Sequence, residues 1–167
     1  GSDYQKILAA EKTIPGRLKK IVDTIEDISG LEHFGAYLTL LFEVDALIAN
    51  EDRHLNNIAI LEENGKYHYC PLFDNGEGLM LDNVKYPFDV ETRGLMKHLR
   101  AKPFQCRFGT VLSTARDLYG AQLKIVCSAA EVSKIAEKYL DWYQPMFRPF
   151  LKDRIVDVGQ LQMKKYF

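Results

Sequence analysis

The sequence predicts a mainly α fold with one small β-hairpin, a helical subdomain built around a buried central helix. Three observations carry that prediction. Residues 31–49 are apolar on almost every face at helical spacing, the mark of a helix with no solvent side. Amphipathic stretches with start and stop residues flank it on both sides. Between them, Ile58 to Leu61 and Lys66 to Cys70 are joined by Glu63-Asn64-Gly65, whose Asn-Gly step suits a tight hairpin turn.

Of the 167 residues, 47% are apolar and 27% charged, a globular balance with enough chain for one real core. Residues 3–167 therefore read as a single domain. Gly1-Ser2 reads as a cloning scar and stays outside the fold argument. Lys and Arg number 22 against 23 Asp and Glu, a net charge of −1, so no global basic field invites nucleic acid. The most apolar run, Phe34 to Ala49, is interrupted by Glu43 and Asp45 and falls short of the roughly 18 apolar residues of a membrane span. Cys70, Cys106 and Cys127 are odd in number, widely spaced and without a CxxC pair. That pattern argues against a disulfide framework or a zinc site and fits a reducing, cytoplasmic setting.

In chain order, residues 3–12 suggest a short helix. Thr13 and Pro15 then open a helix through Ser29 that Gly30 closes, with Leu18, Ile21, Ile25 and Ile28 as its apolar stripe. The central helix follows, from Leu31 to Ala49, and delivers Asn50 and Asp52 onto a loop. Ile58 to Leu61 should be a short buried strand and Lys66 to Cys70 its return. Residues 79–90 read as a mobile substrate-facing loop or a plain surface connection, Glu91 to Leu99 as a short helix and Arg100 to Arg107 as a turn. A helix is expected from Phe108 to Leu118, closed by Gly120, then a strand or extended link from Leu123 to Cys127. Ser128 and Glu131 form a capping-box signature for a helix through Trp142. Pro145 interrupts, helical spacing resumes from Met146 to Gly159, and Lys164-Lys165 reads as a solvated tail. Tyr139, Trp142, Tyr143, Phe147 and Phe150 are expected to pack in the core.

The chemistry concentrates in residues 44–80. Antiparallel pairing of the hairpin brings the residues at its open end together, so Asn57 and Asp74 should meet although 17 positions separate them. An amide carbonyl and a carboxylate are hard oxygen donors suited to Mg²⁺ beside nucleotide phosphates. Asp52 precedes Asn57 by five positions, the D-x-x-x-x-N spacing of a kinase catalytic loop, in which the aspartate accepts the proton of the attacking hydroxyl. Alone, Asp52 reads as a cap and Asp74-Asn75-Gly76 as an ordinary turn. Gly76-Glu77-Gly78 supplies flexibility after the aspartate rather than a phosphate loop. His33, His68 and His98 share no ligand spacing with His54.

The order Asn50-x-Asp52-Arg53-His54-x-x-Asn57, a hairpin, then Pro71-Leu72-Phe73-Asp74-Asn75-Gly76 resembles the catalytic core of the HipA-like serine/threonine kinases. More distantly it resembles the phosphatidylinositol 3/4-kinases, with their D-R-H-x-x-N and D-F-G elements. The resemblance implies a protein-kinase-like C-terminal lobe that uses ATP and Mg²⁺. Asp52 would be the catalytic base, Asn57 and Asp74 the cofactor and metal ligands, and His54 a phosphate or transition-state contact. Arg53 is left with a carboxylate or a phosphorylated segment as its partner. Only about 43 residues precede the specific core, and they read as helical, so the nucleotide-binding N-terminal lobe is expected to be absent. An excised fragment, a subunit completed by a partner, and a pseudokinase-like or toxin-antitoxin binding module all fit, as does a kinase acting on a lipid or small-molecule hydroxyl. The partners implied are a protein substrate, a protein supplying the N-lobe or an antitoxin. An apolar face near Phe73 and Ala59 should mark where the lobe is missing.

Overall fold

The computed structural model describes residues 10–167, and most of the expected helix over 3–12 lies outside the described residues. Helix α1 runs Ile14–Ser29, α2 Phe34–Ile48, α3 Thr92–Met96, α4 Phe108–Tyr119, α5 Ala129–Glu137 and α6 Arg148–Tyr166. Strands β1, Ile60–Glu63, and β2, Lys66–Tyr69, pair antiparallel from Ile60 opposite Tyr69 to Glu63 opposite Lys66. The protein is thus mainly helical with one two-stranded hairpin, and no helix among the described residues is long and apolar enough to cross a membrane.

Helix α1 starts and stops as its sequence dictates. The Thr13 hydroxyl accepts from Gly16 N–H at 3.1 Å, Pro15 occupies the first turn, and Gly30 turns left-handed at φ 69°. Its stripe is buried through Leu18, Ile21 and Val22, but Ile28 lies beyond the edge of the core and faces solvent. Helix α2 is central, with α1, α4 and α6 packed around it. Gly35 lets α4 approach: an added Cβ would come within 2.3 Å of the Tyr119 ring. The buried face of α2 is not wholly apolar, since Thr39, Glu43 and Asp45 lie on it with Leu38, Leu41, Phe42 and Ala46.

The hairpin takes the expected register, and Asn64 and Gly65, both at positive φ, make the primed turn that matches strand twist. The expectation of a buried strand fails. Only Ile60 is partly covered and the rest of both strands is exposed, because no second layer packs on them. The ribbon is instead tethered at its base, where Tyr37 of α2 stacks on Tyr69 at 5.2 Å and its hydroxyl donates to the Cys70 carbonyl at 2.8 Å.

The C-terminal third departs most from expectation. Ser128 and Glu131 do form the reciprocal capping box, and residues 121–128 form an extended link rather than a strand. Helix α5 then stops at Glu137, five residues before Trp142. Two short 3₁₀ turns follow, Leu140–Trp142 and Pro145–Phe147, cross-pinned by Arg148, which donates to the Asp141 carboxylate at 2.6 Å and to the Tyr143 carbonyl at 2.9 Å. Once the chain leaves helical geometry the aromatic stripe no longer shares a face. Leu140 is buried and Phe147 half-buried, whereas Tyr139, Tyr143, Phe150 and, at 88%, Trp142 are exposed, correcting the expected core packing. Helix α6 continues through Lys164 and Lys165 to Tyr166 instead of ending near Gly159. Its inward positions include Arg154 and Gln162, so apolar periodicity understates its length.

Arg154 explains how residues 79–90 are held. Its guanidinium, 4% exposed, donates to the carbonyls of Met80, Tyr86, Pro87 and Val90 at 3.0–3.4 Å, tying an irregular segment to α6. The expected mobile loop is therefore anchored through its backbone, with Met80 and Tyr86 buried. Replacing Arg154 with Met keeps an apolar stem but strands four carbonyls. It should destabilise the fold by about 2–4 kcal/mol in urea unfolding, with faster amide exchange in 79–90 than in α1.

Candidate phosphoryl-transfer site

The site is assembled where α2 ends. Ala49 leaves the helix at φ 55°, a left-handed conformation that costs a Cβ-bearing residue about 1–2 kcal/mol, and Asn50 N–H closes on the Asp45 carbonyl at 2.8 Å. This sharp exit sends residues 50–57 back across the helix end. Asn50, fully buried, donates its amide to Asp45 Oδ1 at 2.8 Å and accepts from Asp52 N–H at 3.2 Å, so Asp52 is aimed by its own backbone.

Arg53 occupies the centre. Its Nε and Nη2 grip both oxygens of Asp45 at 2.9 Å, a two-point fork, and each residue is only 1% exposed. Its remaining donors reach the Phe73 carbonyl at 2.7 Å, the Asn57 carbonyl at 3.3 Å and Asn75 Oδ1 at 2.6 Å. The partner of Arg53 is therefore a carboxylate, and one guanidinium links α2, the loop after it and the chain leaving the hairpin. Burial pushes the Asp45 carboxyl up, while the Arg53 fork and the Asn50 amide act against that rise.

The residues singled out by sequence converge. Asn57 is buried and donates to Asp74 Oδ2 at 2.5 Å, as the hairpin geometry requires. Asp74 sits at φ 55° on an exposed turn, held there by Arg53 through its neighbours Phe73 and Asn75. One ligand atom each from Asp52, His54 and Asp74 lies within 4.8 Å of the others. His54 is half-buried, and its Nδ1 is a buried nitrogen with no hydrogen-bond partner. His33, His68 and His98 are exposed and stand apart from this cluster.

Sequence reasoning missed several contributors. Lys102, from the turn after α3, pairs with Asp52 Oδ1, and that hydrogen bond holds the Asp52 carboxyl below the usual carboxylate range against a small opposing effect of burial. Glu51 accepts from the Tyr86 hydroxyl and from Arg100 N–H, and lies 3.3 Å from Lys85. Burial, then the Glu51 bond, push the Tyr86 hydroxyl up to about 12, so it donates throughout the neutral range. Asp45 alone left a trace in the sequence, as a charge inside an apolar helix. Nothing near position 52 points to Lys102.

Hard-oxygen chemistry fits the paired side chains. Among the described residues no hydrogen bond engages the side-chain amide oxygen of Asn57 (Oδ1) or the second Asp74 oxygen, and no basic side chain pairs with Asp74. These two residues would hold Mg²⁺. No family model, curated protein or solved structure matches the chain, so function is argued from this geometry.

Arg53→Met should destabilise by about 3–5 kcal/mol, because it leaves the Asp45 carboxylate buried without a counter-charge. The double change Arg53→Met with Asp45→Leu should recover part of that loss in urea unfolding, as it removes the charge itself. For Asp52 the sign is opposite to that of a buried acid. A carboxyl depressed in the fold adds stability above its unfolded value near ~3.9 and loses it as pH falls through the folded value. Both side chains are more than a third exposed, so solvent limits the effect to about 1 kcal/mol or less. Lys102→Met should move the Asp52 titration upward in a carboxyl ¹³C NMR experiment while the melting temperature at neutral pH hardly changes.

Proposed function

We propose that this chain is the helical, catalytic lobe of a HipA-like serine/threonine protein kinase that transfers the γ-phosphoryl group of ATP to a hydroxyl with Mg²⁺. The observation that carries the reading is the meeting of Asn57 and Asp74 across the hairpin base, beside an Asp52 aimed by buried neighbours. Asn57 and Asp74 would hold Mg²⁺, which would supply charge neutralisation for the nucleotide phosphates. Asp52 accepts a hydrogen bond from the serine or threonine hydroxyl and takes its proton. As it does, the hydroxyl oxygen bonds to the γ-phosphorus, and the bond from that phosphorus to the β–γ bridging oxygen breaks, releasing ADP. His54 lies close enough to both aspartates to contact the group in transit.

A nucleotide needs a second wall, and none of the described residues forms a strand-rich, phosphate-covering lobe. In this reading the wall comes from a partner protein or from polypeptide outside this sequence. It seats beside the hairpin, where Phe73 and Leu61 are exposed and Ala59 is half-buried. Three free cysteines suit a cytoplasmic setting.

A second reading is a non-catalytic interaction module that binds a partner such as an antitoxin, favoured by the exposed Tyr139, Trp142, Tyr143, Met146 and Phe150. The two separate on mutation. In the assembled protein that carries the nucleotide-covering wall, Asp52→Asn and Asp74→Asn should each lower Mg²⁺-ATP-dependent phosphorylation by about 10²-fold or more, with unchanged folding. Unchanged rates in both variants sink the kinase reading.

A further inference from the structure

Lys102 is placed by a small, rigid device. Ala101 and Cys106 form a lone antiparallel bridge, with Ala101 N–H donating to the Cys106 carbonyl at 2.7 Å. Between them Lys102–Phe104 make a single 3₁₀ turn with Pro103 fixing its start. Gln105 closes the turn at φ 51° and donates to the Lys102 carbonyl through both its backbone N–H, at 3.3 Å, and its side-chain amide, at 3.1 Å. Buried Phe104 docks this turn on α2, its ring edge-on to Phe42 with centroids 6.0 Å apart. The helix that carries Asp45 thus also fixes where Lys102 begins, and its ammonium crosses 50 positions of sequence to reach Asp52.

A half-exposed ion pair contributes at most about 1 kcal/mol to folding, so stability is a weak reason for so constrained a placement. Charge supplies a better one. Phosphoryl transfer spreads negative charge over three equatorial oxygens. The other cations that the geometry gathers here are committed elsewhere: Arg53 is buried on Asp45, and Lys85 lies 3.3 Å from Glu51 and 3.6 Å from Glu77. Among the described residues Lys102 is the one cation paired with the proposed base. An ammonium has three donors, so it can hold a carboxylate and a phosphate oxygen together or exchange one for the other.

Resting on the phosphotransferase reading above, we propose that Lys102 binds the transferred phosphoryl group. Its ammonium moves from Asp52 to a γ-phosphate oxygen when nucleotide enters, which releases Asp52 to the acceptor hydroxyl. Lys102 stays protonated throughout and contributes charge and orientation, while the proton passes from hydroxyl to Asp52 alone. Nucleotides that lack a γ-phosphate leave the Lys102–Asp52 pair closed, so product release restores it.

NMR titration of the ¹⁵N-labelled chain, within the assembled protein that carries the nucleotide-covering wall, with Mg²⁺-ATP and, separately, Mg²⁺-ADP reads binding into the millimolar range, without any need for turnover. Lys102→Met should weaken Mg²⁺-ATP about tenfold or more and Mg²⁺-ADP less than twofold, at an unchanged melting temperature. Asp74→Asn should weaken both nucleotides. Should Lys102→Met leave ATP binding intact, or weaken ATP and ADP equally, the Lys102 role is overturned while the kinase reading stands. If wild type binds neither nucleotide, or Asp74→Asn changes neither, the kinase reading falls and the Lys102 role falls with it.

Discussion

The fork between Arg53 and Asp45 is the contact on which the rest of the site depends. It uses every direction the guanidinium offers: both oxygens of Asp45, two backbone carbonyls and the Asn75 side chain. Three segments are thereby fixed to the plane of one guanidinium. Burial pushes the Asp45 carboxyl up against the pull of the fork, and a buried ion pair is weak grounds for net stability. What it contributes is position. Asp74 at φ 55° and Ala49 at φ 55° are conformations that a lone turn would abandon, and both lie within one or two residues of atoms that this network holds.

The same device recurs around α2. Glu43, fully buried two residues before Asp45, accepts from Arg116 Nε at 2.7 Å and from the backbone N–H groups of Gln122 and Leu123 at 3.1 and 2.7 Å. It fastens the extended link after α4 much as Asp45 fastens the loop after α2. Gln162 of α6 donates to the Ala46 carbonyl, and Arg154 collects the carbonyls of residues 80–90. Irregular backbone near a core must find donors and acceptors, and here buried polar side chains on helices supply them. The helices form the apolar core, and their few buried polar groups shape the loops.

These buried polar groups also mark where the sequence could be read and where it could not. The central helix, the α1 caps, the capping box and the hairpin turn were legible, because each depends on residues within a few positions of one another. Asn57 and Asp74 were legible as a pair for the same reason, the hairpin turn fixing their register. Helix α6 was cut short because Arg154 and Gln162 sit where periodicity expects apolar residues. The aromatics at 139–150 were placed in the core on the assumption of helical spacing, which the Arg148 contacts with Asp141 and Tyr143 replace with turns. Lys102 was invisible, since its contact with Asp52 spans 50 positions and rests on tertiary packing of Phe104 against Phe42.

That long-range contact bears on how the three carboxylates differ. Asp45 is buried and spent on Arg53, Asp52 is answered by Lys102, and the Asp74 carboxylate has the Asn57 amide as its one hydrogen-bond partner among the described residues. Three ligand atoms from Asp52, His54 and Asp74 lie close enough for one metal ion, yet an ammonium on Asp52 repels a cation there. The negative charge without a basic partner among the described residues is that of Asp74, which accepts from the Asn57 amide nitrogen. In the proposed reading a divalent ion would be drawn to Asp74 at the hairpin base and away from Asp52. In the proposed reading, cation binding and proton acceptance would fall on separate carboxylates, because a base ligated to a metal would hold its lone pairs there instead of offering them to a proton.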